Sequence, residues 1–162
     1  MTPDLERAVP ALIHGGAEFI VIGGVAAIIH GSARATFDVD LLYLRDEQNI
    51  QRLANSLAPY NPYLREAPPG LPFAWDAKTI RHGLNFTLTT DLGDIDLLGD
   101  VGGETYQTLL PHSFEVEAFG VHFKCIDLPT LIRIKEAAGR RKDLEAIAEL
   151  RVLLEEMEKK QP

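Results

Sequence analysis

Apolar residues recur at helical spacing from about Pro3 to His14, where Leu5, Val9, Leu12 and Ile13 share one face and Gly15-Gly16 ends the run. Glu18 to Ile22 is a short apolar, partly β-branched stretch that reads as a strand, and Gly23-Gly24 separates it from a helical stretch over Val25 to His30. From Phe37 to Leu44 the pattern changes to period two. Asp38, Asp40 and Leu42 alternate with Val39, Leu41 and Tyr43, which predicts a strand with both carboxylates on one face and Val39 and Leu41 towards the core. A helix follows from about Asp46 to Leu57. Leu84 to Thr90 and Ile95 to Leu98 are further strand candidates, and Ser113 to Ala118 with Val121 to Ile126 reads as a hairpin turning at Phe119-Gly120.

Asp127 ahead of Leu128-Pro129 has the form of a helix cap with proline in the first turn, so a helix is expected to about Ala138, where Gly139 interrupts it. A last helix over about Arg141 to Glu158 places Leu144, Ile147, Ala148, Val152 and Leu154 on an apolar face and leaves Glu149, Arg151, Glu155 and Glu156 mostly for water. Between the two halves, Pro59 to Pro72 holds Pro59, Pro62, Pro68, Pro69, Gly70 and Pro72, a loop that cannot be helix or central strand. Loops of this length are often functional. The order of elements predicts an α+β fold with a mixed sheet flanked by helices and a helical hairpin at the C-terminal end.

Composition narrows the class. A chain of 162 residues, 46% hydrophobic and 25% charged, is expected to form one ordinary domain over 1–162, with a core of about 17–126 and C-terminal helices of about 127–158. No apolar run approaches the ~20 residues of a membrane span, and the first charges, Asp4 and Glu6, do not suit a secretory leader, so a cytoplasmic location is expected. Cys125 is the one cysteine, which excludes an internal disulfide and any cysteine-built zinc site; its strand context favours an inert buried thiol over a nucleophile. A formal charge of -8 disfavours non-specific binding of nucleic acid over the whole surface. Histidines at 14, 30, 82, 112 and 122 have no metal-ligand spacing.

Acidic charge gathered in one place has another use. Asp38 and Asp40 project the same way and repel each other, so a basic partner or a divalent cation must offset them, and hard oxygen ligands suit Mg2+ or Mn2+. Asp96, set between Ile95 and Leu97, reads as an acid on a central strand, and such a group needs a partner. If its strand lies beside that of Asp38, three carboxylates converge, enough to clamp a phosphoryl or nucleotidyl group through bound cations. Asp94, after Gly93 at the strand start, ranks second as third ligand. Gly23-Gly24 is a plain turn or a place where backbone approaches phosphates closely; residues 25 through 37 put 13 positions between Gly24 and Asp38.

The stretch Ile22 to Leu41, with Gly23-Gly24, a short helix, and Arg34-Ala35-Thr36-Phe37-Asp38-Val39-Asp40, resembles the signature of the DNA polymerase beta-like nucleotidyltransferase superfamily. With Leu131 to Lys135 and Gly139 to Asp143, it is similar to small bacterial members: the aminoglycoside and lincosamide nucleotidyltransferase-like group and the AbiEii-type toxin proteins. The likeness covers the catalytic half strongly, the last third moderately, and Tyr43 to Asn85 hardly at all. It implies a nucleotidyltransferase fold, contact of Gly23 and Gly24 with a triphosphate, and binding of both metal ions by Asp38 and Asp40. It further implies that Asp96 completes the second metal site and helps activate an acceptor hydroxyl.

Other residues carry two readings each. Arg34 and Thr36, on the approach to Asp38, suit phosphate contact, or else a local ion pair and a turn; Ser32 suits phosphate or turn chemistry equally. Arg133, Lys135, Arg140, Arg141 and Lys142 form the one basic concentration, either a solvated face or a phosphate-facing group with Lys135 as its foremost member. Asp143 matches a late aspartate of the toxin-like proteins or is a first-turn acid favoured by the helix dipole. Trp75 and Tyr63 suit stacking on a base or acceptor, or a satellite cluster.

Two functions from different classes compete. One is a metal-dependent enzyme that moves an NMP from an NTP to a hydroxyl of a small molecule, RNA or protein. The other is a non-catalytic nucleotide-binding module or toxin–antitoxin partner. The 59–72 loop with the C-terminal helices, or a second subunit in a homodimer, would complete an acceptor site.

Overall fold

The computed structural model describes residues 4–160. Its elements are α1 (Leu5–His14), β1 (Phe19–Ile22), α2 (Gly23–Ile29), β2 (Asp38–Tyr43), α3 (Glu47–Leu57), β3 (Tyr63–Leu64), α4 (Ala77–His82), β4 (Phe86–Thr90), β5 (Gly93–Leu98), α5 (Tyr106–Leu109), β6 (Ser113–Ala118), β7 (Val121–Ile126), α6 (Leu128–Ala138) and α7 (Leu144–Lys159). The expected start of α1 at Pro3 lies outside the described residues.

The strands form one mixed sheet in the order β3-β4-β5-β2-β1-β7-β6, flanked by helices as expected. β2 runs antiparallel to β1 and parallel to β5, so the two carboxylate-bearing strands lie side by side. The β6–β7 hairpin has the expected bounds, and Phe119 and Gly120 both take positive φ, 56° and 75°, as a two-residue turn matched to strand twist requires.

Helix ends follow local chemistry. The Asp46 carboxylate accepts from the Asn49 N–H at the start of α3, and Asp127 does the same for Thr130 at the start of α6, which closes at Gly139 with φ 63°. Asn49 also ties two strands together. Its buried side chain accepts from the Glu18 N–H at 2.7 Å and donates to the carbonyls of Glu18 and Leu44, joining the start of β1 to the end of β2.

One hydrophobic cluster runs from Ala8 on α1 to Leu150 on α7. Val39 and Leu41 are fully buried in it, as their strand phase requires, but so are Leu42 and Tyr43. The expected alternation therefore ends after Asp40, where other elements cover both faces of β2. α1 packs on α3 and β7, α2 on β1, β2 and α6, and α6 on α7.

The face of α7 differs from expectation. Leu144 and Val152 are 63% and 53% exposed and Ala148 is exposed, whereas Ile147 and Leu150 are buried and Leu153 and Leu154 partly so. The 3-10 turn Arg141–Asp143 precedes the helix, and buried Asp143 sets its rotation so that positions 143, 147, 150 and 154 point inward. Glu149 is not simply solvated: it accepts from the Ser32 hydroxyl at 2.6 Å and from the Ala33 N–H at 3.1 Å.

The 59–72 loop holds more structure than its prolines suggest, since Tyr63 and Leu64 pair with Thr89 and Leu88 at the edge of the sheet. The short helices α4 and α5 have no sequence signal of their own, because neither is long enough to display a period. Only their capping residues, Asp76 and Thr105, mark them.

Candidate metal centre

Parallel pairing of β2 with β5 sets Asp38 opposite Asp94 and Asp40 opposite Asp96. Residues two apart on a strand share a face, so four carboxylates stand on one side of two central strands. Ligand oxygens of Asp38, Asp40 and Asp96 all lie within 4.8 Å of one another, and among the described residues these three make the group with metal-ligand geometry. Asp96 is thus the acid gathered with the pair, while Asp94 lies beside Asp38.

The glycine turn belongs to the same construction. Gly23 has φ 66°, and a Cβ there would collide with the Asp40 carboxylate. At Gly24 a Cβ would meet Thr36 Oγ1 at 2.6 Å. Both positions therefore exclude side chains, Gly23 so that Asp40 can lie against the backbone at the start of α2, Gly24 so that Thr36 can. Thr36 in turn donates to the Asp38 carbonyl at 3.1 Å and lies 3.4 Å from its carboxylate.

Charge is distributed unequally over the four acids. Arg65, immediately after β3, reaches across the sheet, and its Nη2 donates to Asp96 Oδ1 and to the Leu88 carbonyl, both at 2.8 Å. Its Nε lies 3.4 Å from Asp94 Oδ2 and its Nη1 3.9 Å from Asp38 Oδ2. The Nε contact is an ion pair without the alignment of a hydrogen bond. Asp40 is left out, and its Oδ1 is buried with no hydrogen-bond partner among the described residues. Burial first, then repulsion from Asp38 and Asp96, raises the Asp40 carboxyl to about 8, against a smaller opposing effect of Lys135. Asp96 is also raised, chiefly by burial, with Arg65 opposing.

An orphaned carboxylate oxygen, desolvated beside two further carboxylates, is what a hard divalent ion satisfies. Asp38, Asp40 and Asp96 fit such an ion. Arg65 is the residue that sequence reasoning missed: the acids demanded a cationic partner, but the proline-rich loop shows no period that would link it to the central strands.

Beside Asp40 opens a cavity of about 350 Å³, bounded by Gly23 and Gly24, by Leu98 and Val101 at and after the end of β5, and by Lys135 on α6. A second cavity, of about 280 Å³, is lined by Gly24, Ser32, Arg34, Thr36, Lys135 and Lys142. Lys135, largely buried, borders both, and its Nζ lies 3.9 Å from Asp143, which also accepts from Arg140 Nε at 2.8 Å. The structure thus brings Gly23, Gly24, Thr36 and Lys135 to the acidic cluster. Ser32 and Arg34 stand further along the second cavity, the former donating to Glu149 and the latter 3.6 Å from Glu145.

Other candidates lie elsewhere. Cys125 is buried and its thiol is pushed up to about 12 by burial and by Asp127. Trp75 packs edge-on against Phe86 and Tyr63 against Phe73, both as small internal clusters. Among the described residues no helix is long and apolar enough to cross a membrane.

Comparison with known proteins agrees at the level of fold. The chain is similar in structure to an antigenic nucleotidyltransferase-like protein from Paracoccidioides brasiliensis, with a TM-score of 0.57, 18% identity, and coverage of 93% of this chain and 75% of that one. The mixed sheet with its flanking helices is thus the nucleotidyltransferase fold that the Ile22 to Leu41 stretch implied. No family model matches the sequence, and no curated protein matches it significantly.

Proposed function

We propose that the chain is a divalent-metal-dependent nucleotidyltransferase that moves an NMP from an NTP to a hydroxyl acceptor. The observation that carries this reading is Asp40: a buried carboxylate with an unpartnered oxygen, in register with Asp96, pressed against a side-chain-free turn and opening on a cavity. Asp38, Asp40 and Asp96 hold Mg2+ or Mn2+, and Asp96 also faces the acceptor hydroxyl. When bound, the ion polarises the α-phosphate, lowers the pKa of the acceptor hydroxyl and offsets charge on the departing pyrophosphate. Gly23 and Gly24 let the triphosphate approach the backbone, and Lys135 meets it from α6 as a point charge. Thr36 positions Asp38, while Ser32 and Arg34 line the outer part of the phosphate path. Positioning of NTP and acceptor accounts for most of the remaining rate.

The acceptor is a hydroxyl of a small molecule, RNA or protein, and the Leu131–Lys135 and Gly139–Asp143 stretches favour kinship with the small drug-modifying and toxin-like nucleotidyltransferases. Incubation of the folded protein with each α-labelled NTP, Mg2+ or Mn2+ and candidate acceptors is expected to yield a labelled adduct and pyrophosphate. Absence of both NTP binding and transfer would sink the reading.

One observation favours a second reading. Arg65 gives three of the four acids a cationic partner within the chain, as a non-catalytic nucleotide-binding module or an antitoxin-bound partner would need. Calorimetry separates the two: NTP and metal binding with no product after prolonged incubation selects the second.

A further inference from the structure

The strap that carries Arg65 is built differently from the rest of the site. β3 has two residues and, among the described residues, pairs only with β4. Beyond it, the Arg65 N–H donates to the Thr87 carbonyl at 2.9 Å, and Glu66 takes φ 68°, an uncommon conformation for a residue with a side chain. Pro68, Pro69 and Gly70 then run exposed to solvent. An edge segment with so few buried contacts opens more easily than a central strand. Yet its arginine is largely shielded, with a side chain 20% exposed, because it lies over β4 and inserts among acids of β5 and β2.

The pattern of its contacts is selective. Arg65 reaches Asp96, Asp94 and Asp38, and leaves Asp40 without a partner. With all four carboxylates ionised as metal ligands, one guanidinium and Lys135 acting on Asp40 from α6 leave a deficit close to the charge of one divalent ion. A second divalent ion would have to share Asp96 with a guanidinium already hydrogen-bonded to it at 2.8 Å.

We propose that Arg65 is a resident cation of the acidic cluster, restricting it to a single divalent ion held by Asp38 and Asp40 and admitting a second only when the Arg65 side chain swings off Asp96. This role rests on the metal-site reading above and refines it. Arg65 is a positioning residue: it sets how many ions the acids take and which oxygens remain free for them.

The test counts ions, in the full chain and without nucleotide. Free Mn2+ is followed by its electron paramagnetic resonance signal during titration of the wild type, Arg65→Ala, Arg65→Met and Arg65→Lys, each first shown by circular dichroism to be folded. Arg65→Met keeps the apolar stem in place should the alanine variant not fold. The expected result is one ion per wild-type chain, one for Arg65→Lys, and two for the variants without the charge, the first of them bound at least about tenfold more tightly, the scale expected from removing a competing charge. A single ion in the uncharged variants, even bound more tightly, would overturn the restriction to one. Equal number and affinity in wild type and both uncharged variants would overturn the role of Arg65 while leaving the metal site standing. Weaker binding in the uncharged variants would do the same. Absence of Mn2+ binding in every form, the wild type included, would overturn the metal reading itself and this inference with it.

Discussion

The acidic cluster has two flanks, and they solve the same electrostatic problem in opposite ways. On the β4 flank, Asp94, Asp96 and Asp38 are met by a guanidinium from the same chain. On the α2 flank, Asp40 has Gly23 backbone against one oxygen, no partner for the other, and a cavity beyond. A protein that needed only to fold would pair all four acids or replace Asp40 with an amide. Leaving one carboxylate desolvated and unpartnered lowers stability, and such strain is characteristically retained where a ligand completes the site.

The largest effect that would break this contrast comes from Asp40→Asn. It is expected to lower NMP transfer by at least about a thousandfold, on the order of 4 kcal/mol. The same change should raise the melting temperature of the metal-free protein above pH 8, by removing a charge that burial disfavours. Steady-state rates and thermal melts without metal check the pair of outcomes. Full activity would show that the α2 flank is not the working one.

Next comes pH. The Asp40 carboxyl moves from 3.8 to about 8 on folding, so between those values the folded chain holds a proton that the unfolded chain does not. Metal-free stability should therefore fall as pH rises through this window, by on the order of 5 kcal/mol across the whole of it, and saturating Mg2+ should flatten the slope. Denaturant titrations at pH 5 and pH 8.5, with and without Mg2+, sharpen the contrast; a metal-independent slope would contradict it.

Lys135→Ala should raise the KM for NTP by about tenfold, about 1.4 kcal/mol, with a smaller change in kcat. The smallest effect belongs to the other flank: Asp94→Asn is expected to reduce transfer less than about tenfold, because Asp94 faces Arg65 and lies outside the three-acid group. A loss from Asp94→Asn equal to that from Asp96→Asn would exchange the roles of those two residues.

The two flanks also differ in how far they are legible in the sequence. Asp38 and Asp40 announce themselves by strand alternation, Asp96 by its apolar neighbours, and Gly23-Gly24 by standing between a strand and a helix. All these signals are local, and parallel pairing of β2 with β5 is the one long-range step that joins them. Arg65 gives no local signal, since its role depends on a two-residue edge strand and a side chain that crosses β4. The rotation of α7 is hidden for a related reason: its register is set by Asp143 against Arg140 and Lys135, a polar anchor that an apolar pattern does not register. Glu149 and Ser32 meet across 117 residues, beyond any periodicity.

Whether the acids beside the Gly23-Gly24 turn hold a divalent ion together with an NTP is decided by diffraction from crystals soaked with Mn2+ and a non-hydrolysable NTP. Anomalous density for manganese is expected at the carboxylates of Asp38 and Asp40, with the triphosphate against Gly23 and Gly24 and within reach of Lys135. Manganese absent from these carboxylates while the nucleotide is bound elsewhere on the chain would contradict the assignment of this site.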